Sequence, residues 1–239
     1  MVHFVCNGDC KGVSETPLNC GMKNCSKNNI KLKACFCEDN NHKGLIVEKP
    51  LLIIFSGLPG TGKTTKAKKL SSFLDIPIID QNELRRQQGM KKMPNKQEEI
   101  LREIDRKAGE FLSKGNSVII DSVHRYMFRR QQLYGVASGT GASVLLIECT
   151  CSPEESKRRM RARANSDGLL SDPNNPKVHE KLAELWEDIM ESDFKYLGSD
   201  HVSYISYNSE NNQVDIKKVG EEMKKIISEI ALNLKEKII

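Results

Sequence analysis

The feature that most constrains this chain is a glycine-rich turn that directly follows a short, wholly apolar segment. The apolar segment Leu51–Phe55 reads LLIIF, and after one serine the nine residues GLPGTGKTT begin at Gly57. The turn matches GxxxxGK[ST], with Gly57, Gly62, Lys63 and Thr64 in the fixed positions. A strand that runs into such a turn and then into a helix is the local structure that surrounds phosphate. The sequence therefore predicts a nucleotide-binding P-loop.

Each part of this turn has its own task in holding a nucleoside triphosphate. Glycine adopts backbone conformations that other residues avoid, so consecutive N–H groups can point inward at phosphate oxygens. The start of the following helix adds free N–H groups and a partial positive charge. Lys63 is expected to reach the β- and γ-phosphates, and the Thr64 hydroxyl to bind Mg²⁺. The predicted ATP-binding residues are Gly57, Leu58, Pro59, Gly60, Thr61, Gly62, Lys63, Thr64 and Thr65.

Short apolar runs alternate with longer amphipathic ones through the rest of the chain. Strands that are apolar throughout are usually covered by helices on both faces. Alternating strands and helices then indicate a parallel sheet in a three-layer α/β fold. Strands are predicted at 51–55, 76–79, 117–120, 143–148 and 201–206, and helices at 62–74, 96–113, 127–137, 153–164, 176–190 and 214–235. The expected fold is a parallel-sheet P-loop NTPase that is similar to nucleoside kinases.

A cysteine-rich segment precedes this body, because six of the eight cysteines lie before residue 38. Few large apolar side chains are present there, so a small module of this length needs a metal to fold. We expect a zinc-binding module at 1–45 and a P-loop domain at 46–239. The candidate zinc ligands are Cys6, Cys10, Cys20, Cys25, Cys35, Cys37, His3 and His42. One site and two sites both remain open, as do the alternatives of disulfides and free thiols, since the spacings assign no pairs.

The overall composition indicates where the protein works and which kinds of partner it has. No apolar run approaches the roughly 18 residues that a membrane span requires, and the start of the chain lacks the pattern of a signal peptide. A cytoplasmic protein without a membrane partner is the expectation. The 37 basic and 32 acidic residues leave a net charge of only +5. The sequence indicates no particular oligomeric state.

Two local clusters of basic residues are more informative than the net charge. They comprise Arg85, Arg86, Lys91 and Lys92, and then Lys157, Arg158, Arg159, Arg161 and Arg163. The planar guanidinium of arginine binds phosphate through two parallel hydrogen bonds. The alternative for each cluster is a solvated helix face. The guanine-binding motif NKxD of GTPases is missing, and the body is short for a motor ATPase, so a phosphotransferase fits better.

Three further segments resemble the P-loop kinase family that includes polynucleotide 5′-hydroxyl kinases, seryl-tRNA kinases, gluconate and adenylylsulfate kinases and the zeta toxins. They are IIDQNELRR after the second predicted strand, VIIDSVH at the third, and CSPEESKRRMRAR after the fourth. The resemblance covers about residues 51 to 208. It implies an ATP-dependent kinase domain of the P-loop ATPase type, with an acceptor-binding arginine, a metal-linked carboxylate and a lid of arginines.

Carboxylates at the ends of two predicted strands are the candidate catalytic acids. Asp121 ends a buried strand, where a direct or indirect Mg²⁺ ligand belongs in an α/β sheet. The place that usually holds the carboxylate in polynucleotide kinases is Asn82 in this sequence. Either Asp80 aligns the acceptor hydroxyl, as its placement in adenylylsulfate-type kinases would allow, or the substrate lies differently. The alternative for either aspartate is a helix N-cap.

Arginines complete the predicted site. Arg159 and Arg163 lie four residues apart on one helix face and are suited to closing over the transferred phosphate. Arg85 and Arg129 are candidates, together with Asn82, for binding the acceptor. The turn-rich segment 165–175 is expected to be a lid.

These features predict an ATP- and Mg²⁺-dependent kinase that phosphorylates a hydroxyl group, with an RNA or DNA end or a tRNA-linked group as the first candidate. A small-metabolite or sugar kinase is the alternative within enzymes. The alternative to an enzyme is a non-catalytic, ATP-dependent binding or assembly module, in which the N-terminal zinc-binding module, or zinc head, docks a partner.

Overall fold

The structure is a computed structural model, and its N-terminal part holds a small sheet of its own. It describes residues 3–6, 8–16, 18–35, 49–87, 97–163, 176–195, 201–224 and 226–235. The antiparallel strands are β1 (His3–Val5), β2 (Val13–Ser14) and β3 (Lys33–Cys35), in the order β2-β1-β3. Lys31 forms an ion pair with Asp75 of the larger body. The domain boundary at 45/46 lies outside the described residues and stays a prediction.

The larger body is built on a six-stranded sheet. Its strands are β4 (Leu51–Ser56), β5 (Ile78–Asp80), β6 (Val118–Asp121), β7 (Ser143–Thr150), β8 (Val202–Asn208) and β9 (Gln213–Lys218), in the order β5-β6-β4-β7-β8-β9. The first five strands in this order run parallel, and β9 is antiparallel to β8. The predicted P-loop NTPase fold is confirmed, with a mixed sheet in place of a purely parallel one.

Helices cover both faces of this sheet. They are α1 (Lys63–Leu74), α2 (Gln81–Gln87), α3 (Gln97–Ser113), α4 (Met127–Gly139), α5 (Pro153–Arg163), α6 (Pro176–Glu184) and α7 (Ile227–Lys235), with short 3₁₀ helices at Glu191–Phe194 and Glu221–Met223. Leu52 and Ile54 of the central strand β4 pack in a core with α3 and α4. Leu51, Ile53 and Phe55 pack in the opposite core with α1 and α7. Burial on both faces explains why this strand is apolar at every position.

The C-terminal region differs from the sequence-based prediction. The helix expected over 214–235 is wrong in its first part, because β9 and a 3₁₀ helix precede α7. A turn of four residues joins β8 to β9 between the paired residues Asn208 and Gln213, and its last residue, Asn212, has a φ of 57°. Asparagine tolerates this left-handed conformation, which favours a hairpin over a helix start. The predicted helix 176–190 is also too long, since α6 ends at Glu184.

Among the described residues, no helix has both the length and the apolar character needed to cross a membrane.

Candidate active site

The glycine turn after β4, residues 57–65, has the backbone conformation that phosphate binding requires, and we call this turn the phosphate cradle. Gly57 and Gly60 have φ values of 142° and 85°, which side chains strongly disfavour. Neither position has room for a side chain. A Cβ atom on Gly57 would lie 2.3 Å from the carbonyl oxygen of Cys149, and one on Gly60 would lie 2.5 Å from the Ser156 hydroxyl. Glycine is therefore required here both for conformation and for contact with two neighbouring segments.

Hydrogen bonds stabilise the turn and connect it to the loop that follows β6. The Lys63 ammonium donates to the carbonyl oxygen of Leu58 at 2.8 Å, so the lysine folds back over the turn. The Gly57 N–H donates to the Val123 carbonyl oxygen at 3.1 Å, and the Ser56 hydroxyl donates to the same oxygen at 3.2 Å. The loop that follows β6 is thus tied directly to the first residue of the phosphate cradle.

Two aspartates lie side by side at the carboxyl edge of the sheet. Asp80 ends β5 and Asp121 ends β6, and they are direct partners in the parallel register. Burial raises the pKa of Asp121, while the positive charge of Lys63 and a hydrogen bond from the Thr64 hydroxyl lower it, and the charge of Asp80 raises it further. A buried carboxylate next to a hydroxyl offers the hard oxygen ligands that Mg²⁺ takes. Thr64 and Asp121 therefore fit the predicted metal site, and a bound cation would offset the cost of burying this carboxylate.

Asp80 also caps the helix that follows it. Its Oδ1 atom accepts hydrogen bonds from the backbone N–H groups of Asn82, at 2.7 Å, and Glu83, at 3.4 Å. This is the capping role that the sequence left open as the alternative. Both bonds use the same carboxylate oxygen. The role of Asp80 in aligning an acceptor hydroxyl stays a prediction.

The two candidate acceptor arginines have different surroundings. Arg129 is buried and donates to both carboxylate oxygens of Asp105 at 3.1 Å, and it also donates to Gln132. This ion pair joins α4 to α3 and gives Arg129 a structural role that needs no phosphate acceptor. Arg85 on α2 donates to the Gln97 side chain, and burial lowers its pKa. The acceptor-binding roles of both arginines and of Asn82 stay predictions.

The arginine-rich helix α5 lies against the phosphate cradle. Arg159 donates from Nη1 to the Gly60 carbonyl oxygen at 3.3 Å and to the Ser209 hydroxyl at 2.7 Å, and from Nη2 to the Ser209 carbonyl oxygen at 3.0 Å. Its Nε donates to Glu155 at 2.6 Å. Arg158, one residue earlier, is 69% exposed and bonds to the same glutamate. Of these neighbours, Arg159 is the one that contacts the cradle.

A second contact from α5 reinforces this arrangement. The Ser156 hydroxyl, which is buried, donates to the carbonyl oxygen of Pro59 in the cradle. The Arg163 side chain and the predicted lid 165–175 lie outside the described residues. Sequence reasoning identified this helix but missed the contact of Ser156 with the cradle, and it missed Ser209 as the partner of Arg159, because Ser209 stands in no recognisable motif.

Four cysteines of the N-terminal head converge on one point. The sulfur atoms of Cys6, Cys10, Cys20 and Cys25 all lie within 4.8 Å of one another. The Sγ–Sγ distances are 3.6 Å between Cys6 and Cys25 and 3.5 Å between Cys10 and Cys20. Tetrahedral zinc with Zn–S bonds of about 2.3 Å places its sulfur ligands about 3.8 Å apart. The cluster therefore fits a structural Cys₄ zinc site.

Backbone amides donate to two of the four sulfur atoms, and at Cys6 they act against the burial that raises the pKa of this thiol to about 12. The Gly8 N–H donates to the Cys6 sulfur and the Lys27 N–H donates to the Cys25 sulfur, each at 3.4 Å. Amide donors on Cys10 and Lys27 lower the pKa of the Cys25 thiol to about 6. Outer-shell donors of this kind orient metal ligands and stabilise their negative charge.

Of the other predicted zinc ligands, the two that the structure describes, His3 and Cys35, are not part of this cluster. Cys35 is buried, and it pairs with His3 across the strands β1 and β3. Cys37 and His42 lie outside the described residues. Whether these four residues bind a second metal ion stays a prediction.

Comparisons with known proteins bear on the family and the fold of the larger body. A family model described as an AAA domain, AAA_33, matches residues 52–185, which is more than half of the chain. The chain belongs to this AAA domain family. The matched region of the AAA domain begins in β4 and includes the phosphate cradle, both aspartates and α5. A search of curated protein sequences finds no significant match.

Solved structures resemble the AAA domain at low sequence identity. Kti12 from Chaetomium thermophilum, solved in complex with ADP-AlF3, aligns with a TM-score of 0.55 and 17% identity over 77% of this chain and 98% of that one. A gluconokinase from Sinorhizobium meliloti 1021 aligns with a TM-score of 0.44 and 17% identity over 77% of this chain and 91% of that one. The likeness to Kti12 shows the fold of the AAA domain.

Proposed function

We propose that this protein is an ATP- and Mg²⁺-dependent kinase that transfers the γ-phosphate of ATP to a hydroxyl group. The observation that carries this proposal is the grouping of Lys63, Thr64, Asp121 and Asp80 at one edge of the sheet. Phosphoryl transfer depends on positioning and on neutralising charge more than on covalent chemistry. A cation, a cradle and a carboxylate facing the acceptor are the equipment that this reaction requires.

Each of these residues has a distinct role in the proposed reaction. The amides of the cradle and the Lys63 ammonium bind the β- and γ-phosphates, after the ammonium leaves the Leu58 carbonyl oxygen. Thr64 and Asp121 would hold Mg²⁺, and the bound cation would supply positive charge to neutralise the phosphate oxygens. Asp80, directly beside Asp121, aligns the acceptor hydroxyl and takes its proton. Arg159 lies against the cradle and stabilises the charge of the transferring phosphate.

A nucleic-acid end or a tRNA-linked hydroxyl is the proposed acceptor. Arg85 and Arg86 on α2 follow Asp80 by a few residues; Arg86 pairs with Glu83, and Arg85 supplies the positive charge that an acceptor phosphate requires. The cysteine cluster supports a zinc module, a class of module that often contacts nucleic acids. A small metabolite or sugar is the alternative acceptor, and the modest net charge of +5 favours it.

A second candidate function is an ATP-dependent binding or assembly module that transfers no phosphate. The observation that favours it is the capping of α2 by Asp80, which gives this carboxylate a structural task. In such a module the zinc head would dock a partner, and hydrolysis would be incidental.

The test is to incubate the purified full-length protein with γ-labelled ATP, Mg²⁺ and separate RNA, DNA and metabolite acceptors. Label on a nucleic-acid hydroxyl supports the kinase with the proposed acceptor, and label on a metabolite supports the alternative kinase. Label only in free phosphate contradicts both. Lys63→Ala is the negative control, and Asp80→Asn should abolish transfer while ATP binding persists. RNA binding that weakens steeply with salt would indicate contacts to the phosphate backbone.

A further inference from the structure

An aromatic pair, of which Phe128 is exposed and Tyr126 is partly buried, lies at the start of α4. The rings of Tyr126 and Phe128 are stacked, with centroids 5.6 Å apart and an angle of 21° between their planes. The guanidinium carbon of Arg125 lies 4.4 Å from the Tyr126 centroid. Phe128 is 52% exposed, although phenylalanine is usually among the most buried residues. The stack therefore ends in an aromatic ring that is open to solvent.

The exposure of Phe128 is not a consequence of a loose helix. The next two residues of α4, Arg129 and Arg130, are buried, as are Leu133 and Tyr134. These four side chains form the face of α4 that contacts the body, and Phe128 lies outside it. A core role does not account for an aromatic ring at this position.

The segment that carries the stack is held in place by hydrogen bonds. The Met127 N–H donates to the Glu187 carboxylate at 2.6 Å, and the Glu187 N–H donates to the Arg125 carbonyl oxygen at 3.0 Å. Arg130 donates to the same carbonyl oxygen at 3.2 Å. A surface that is already ordered loses little conformational freedom when a ligand binds.

The stack is also close to the proposed active site. Val123 accepts the hydrogen bond from Gly57 of the phosphate cradle, and Phe128 follows Val123 by five residues. Five residues span at most about 18 Å even when fully extended. The loop that leads to the stack starts directly after Asp121, the last residue of β6, so a short stretch of chain connects the stack to the proposed site.

We propose that Arg125, Tyr126 and Phe128 form a stacking platform for a base of a single-stranded nucleic-acid acceptor. The proposal rests on the proposed kinase function and specifies its acceptor class. Unpaired bases stack on aromatic rings and on arginine, and such contacts tolerate any base because every base has a π-face. The exposed face of Phe128 offers this contact, and the Arg125–Tyr126 pair supports the ring from behind.

The test is equilibrium binding of short oligoribonucleotides with a 5′-hydroxyl end, measured by fluorescence anisotropy with Mg²⁺ and ADP present. The probes are an intact single strand and matched strands that each lack one base near the 5′ end. Removal of the stacked base should weaken binding to the wild-type protein by about 5- to 150-fold. Phe128→Ala should weaken binding of the intact strand by a similar factor. The variant should no longer distinguish the intact strand from the strand that lacks that base.

Matched variants separate stacking on an aromatic face from contact with any apolar side chain. Phe128→Trp keeps an aromatic face and should retain binding, whereas Phe128→Leu keeps only apolar area and should not. Leu232→Ala removes an apolar side chain of similar exposure, 55%, from α7 and should change nothing. Unchanged ATP affinity in the Phe128 variants would show that the fold is intact, since Phe128 is not part of the cradle.

Several outcomes would overturn the proposal. They are wild-type affinity in Phe128→Ala, full recovery in Phe128→Leu, and equal binding of the intact strand and every base-lacking strand. Phosphate transfer to a metabolite without oligonucleotide binding would overturn it while leaving the kinase function in place. The binding assay needs no phosphate transfer, so base-dependent binding without any kinase activity would contradict the proposed function and not the platform.

Discussion

Arg130 and Asp193 form an ion pair that is removed from solvent. The Arg130 Nε donates to the Asp193 Oδ2 at 2.5 Å, and the side chains are 0% and 1% exposed. The guanidinium also donates to the carbonyl oxygens of His124, at 3.0 Å, and Asp188, at 3.2 Å. One buried cation thus joins the loop after β6, which contacts the phosphate cradle, to the segment that follows α6.

Loss of one partner of this pair should destabilise the protein severely. Asp193→Ala leaves Arg130 buried without its counter-charge, and we expect the free energy of unfolding to fall by about 3–5 kcal/mol. Urea denaturation measures this change. The double variant Arg130→Met/Asp193→Leu should recover a large part of the loss, because no buried charge remains. Asp215→Ala, in an exposed ion pair with Lys217, is the control and should have little effect. A similarly small effect in Asp193→Ala would contradict the prediction.

Arg159 and Arg158 should differ sharply in catalysis. Arg159→Ala removes the guanidinium that contacts the Gly60 carbonyl oxygen, and turnover should fall at least about 100-fold. Arg158→Ala removes an exposed side chain that bonds to the same Glu155, so turnover should stay close to the wild-type value. Single-turnover rates with saturating ATP measure both. Equal rates in the two variants would remove Arg159 from the catalytic residues.

Asp121→Asn should change the metal dependence of ATP binding. We expect the Mg²⁺ concentration for half-maximal ATP binding to rise by about 10- to 100-fold, because a charged ligand or ligand partner is lost. ATP without metal should bind at least as tightly as before, since a buried negative charge near the phosphates is removed. Calorimetric titration with and without Mg²⁺ distinguishes these effects. An unchanged Mg²⁺ requirement would place the metal elsewhere.

His124 should make the protein sensitive to acid. Burial and then the positive charges of Arg129, Arg130 and Lys63 lower the pKa of His124 to about 3. An unfolded histidine has a pKa of about 6.5, so the unfolded state binds more protons below that pH. This contribution is complete above pH 6.5 and is lost, by about 1.4 kcal/mol per pH unit, as the pH falls toward 3.

A variant isolates this contribution from that of the carboxylates. Asparagine suits position 124, where φ is 47°, because it tolerates the left-handed region. In His124→Asn, the free energy of unfolding should fall less between pH 6.5 and pH 5 than in the wild-type protein, by about 2 kcal/mol. Urea titrations of both proteins at both pH values give the comparison. If the free energy of unfolding falls equally in the variant and in the wild-type protein, the pKa of His124 is not lowered and the prediction is contradicted.

The four-cysteine cluster should hold one zinc ion. Cys25→Ser should lower the zinc content by one equivalent per chain, because a serine hydroxyl is a poor zinc ligand and the site needs four donors. Cys151→Ser removes a thiol outside the cluster and is the matched control. Atomic absorption after purification with zinc gives the content of both. Equal zinc in the two variants would exclude the cluster as a metal site.

Sequence patterns were sufficient to predict those parts of the structure that depend on residues close together in the sequence. The phosphate cradle could be predicted because its glycines, lysine and threonine act through consecutive backbone positions. The α/β fold could be predicted because burial on both faces leaves strands such as β4 without polar residues along most of their length. The same logic failed at β9, where an exposed edge strand lacks a clear apolar pattern and its identity comes from pairing with β8.

The partners within the site were decided by packing. Arg130 meets Asp193 across 63 residues, and Arg159 meets Ser209 across 50, and no local pattern records either contact. Likewise, the spacing of the cysteines left several ligand sets open, and the fold of the N-terminal part brings Cys6, Cys10, Cys20 and Cys25 together. Motifs specify chemistry over short stretches of chain. Contacts between distant residues follow from how helices and strands pack, which no single stretch contains.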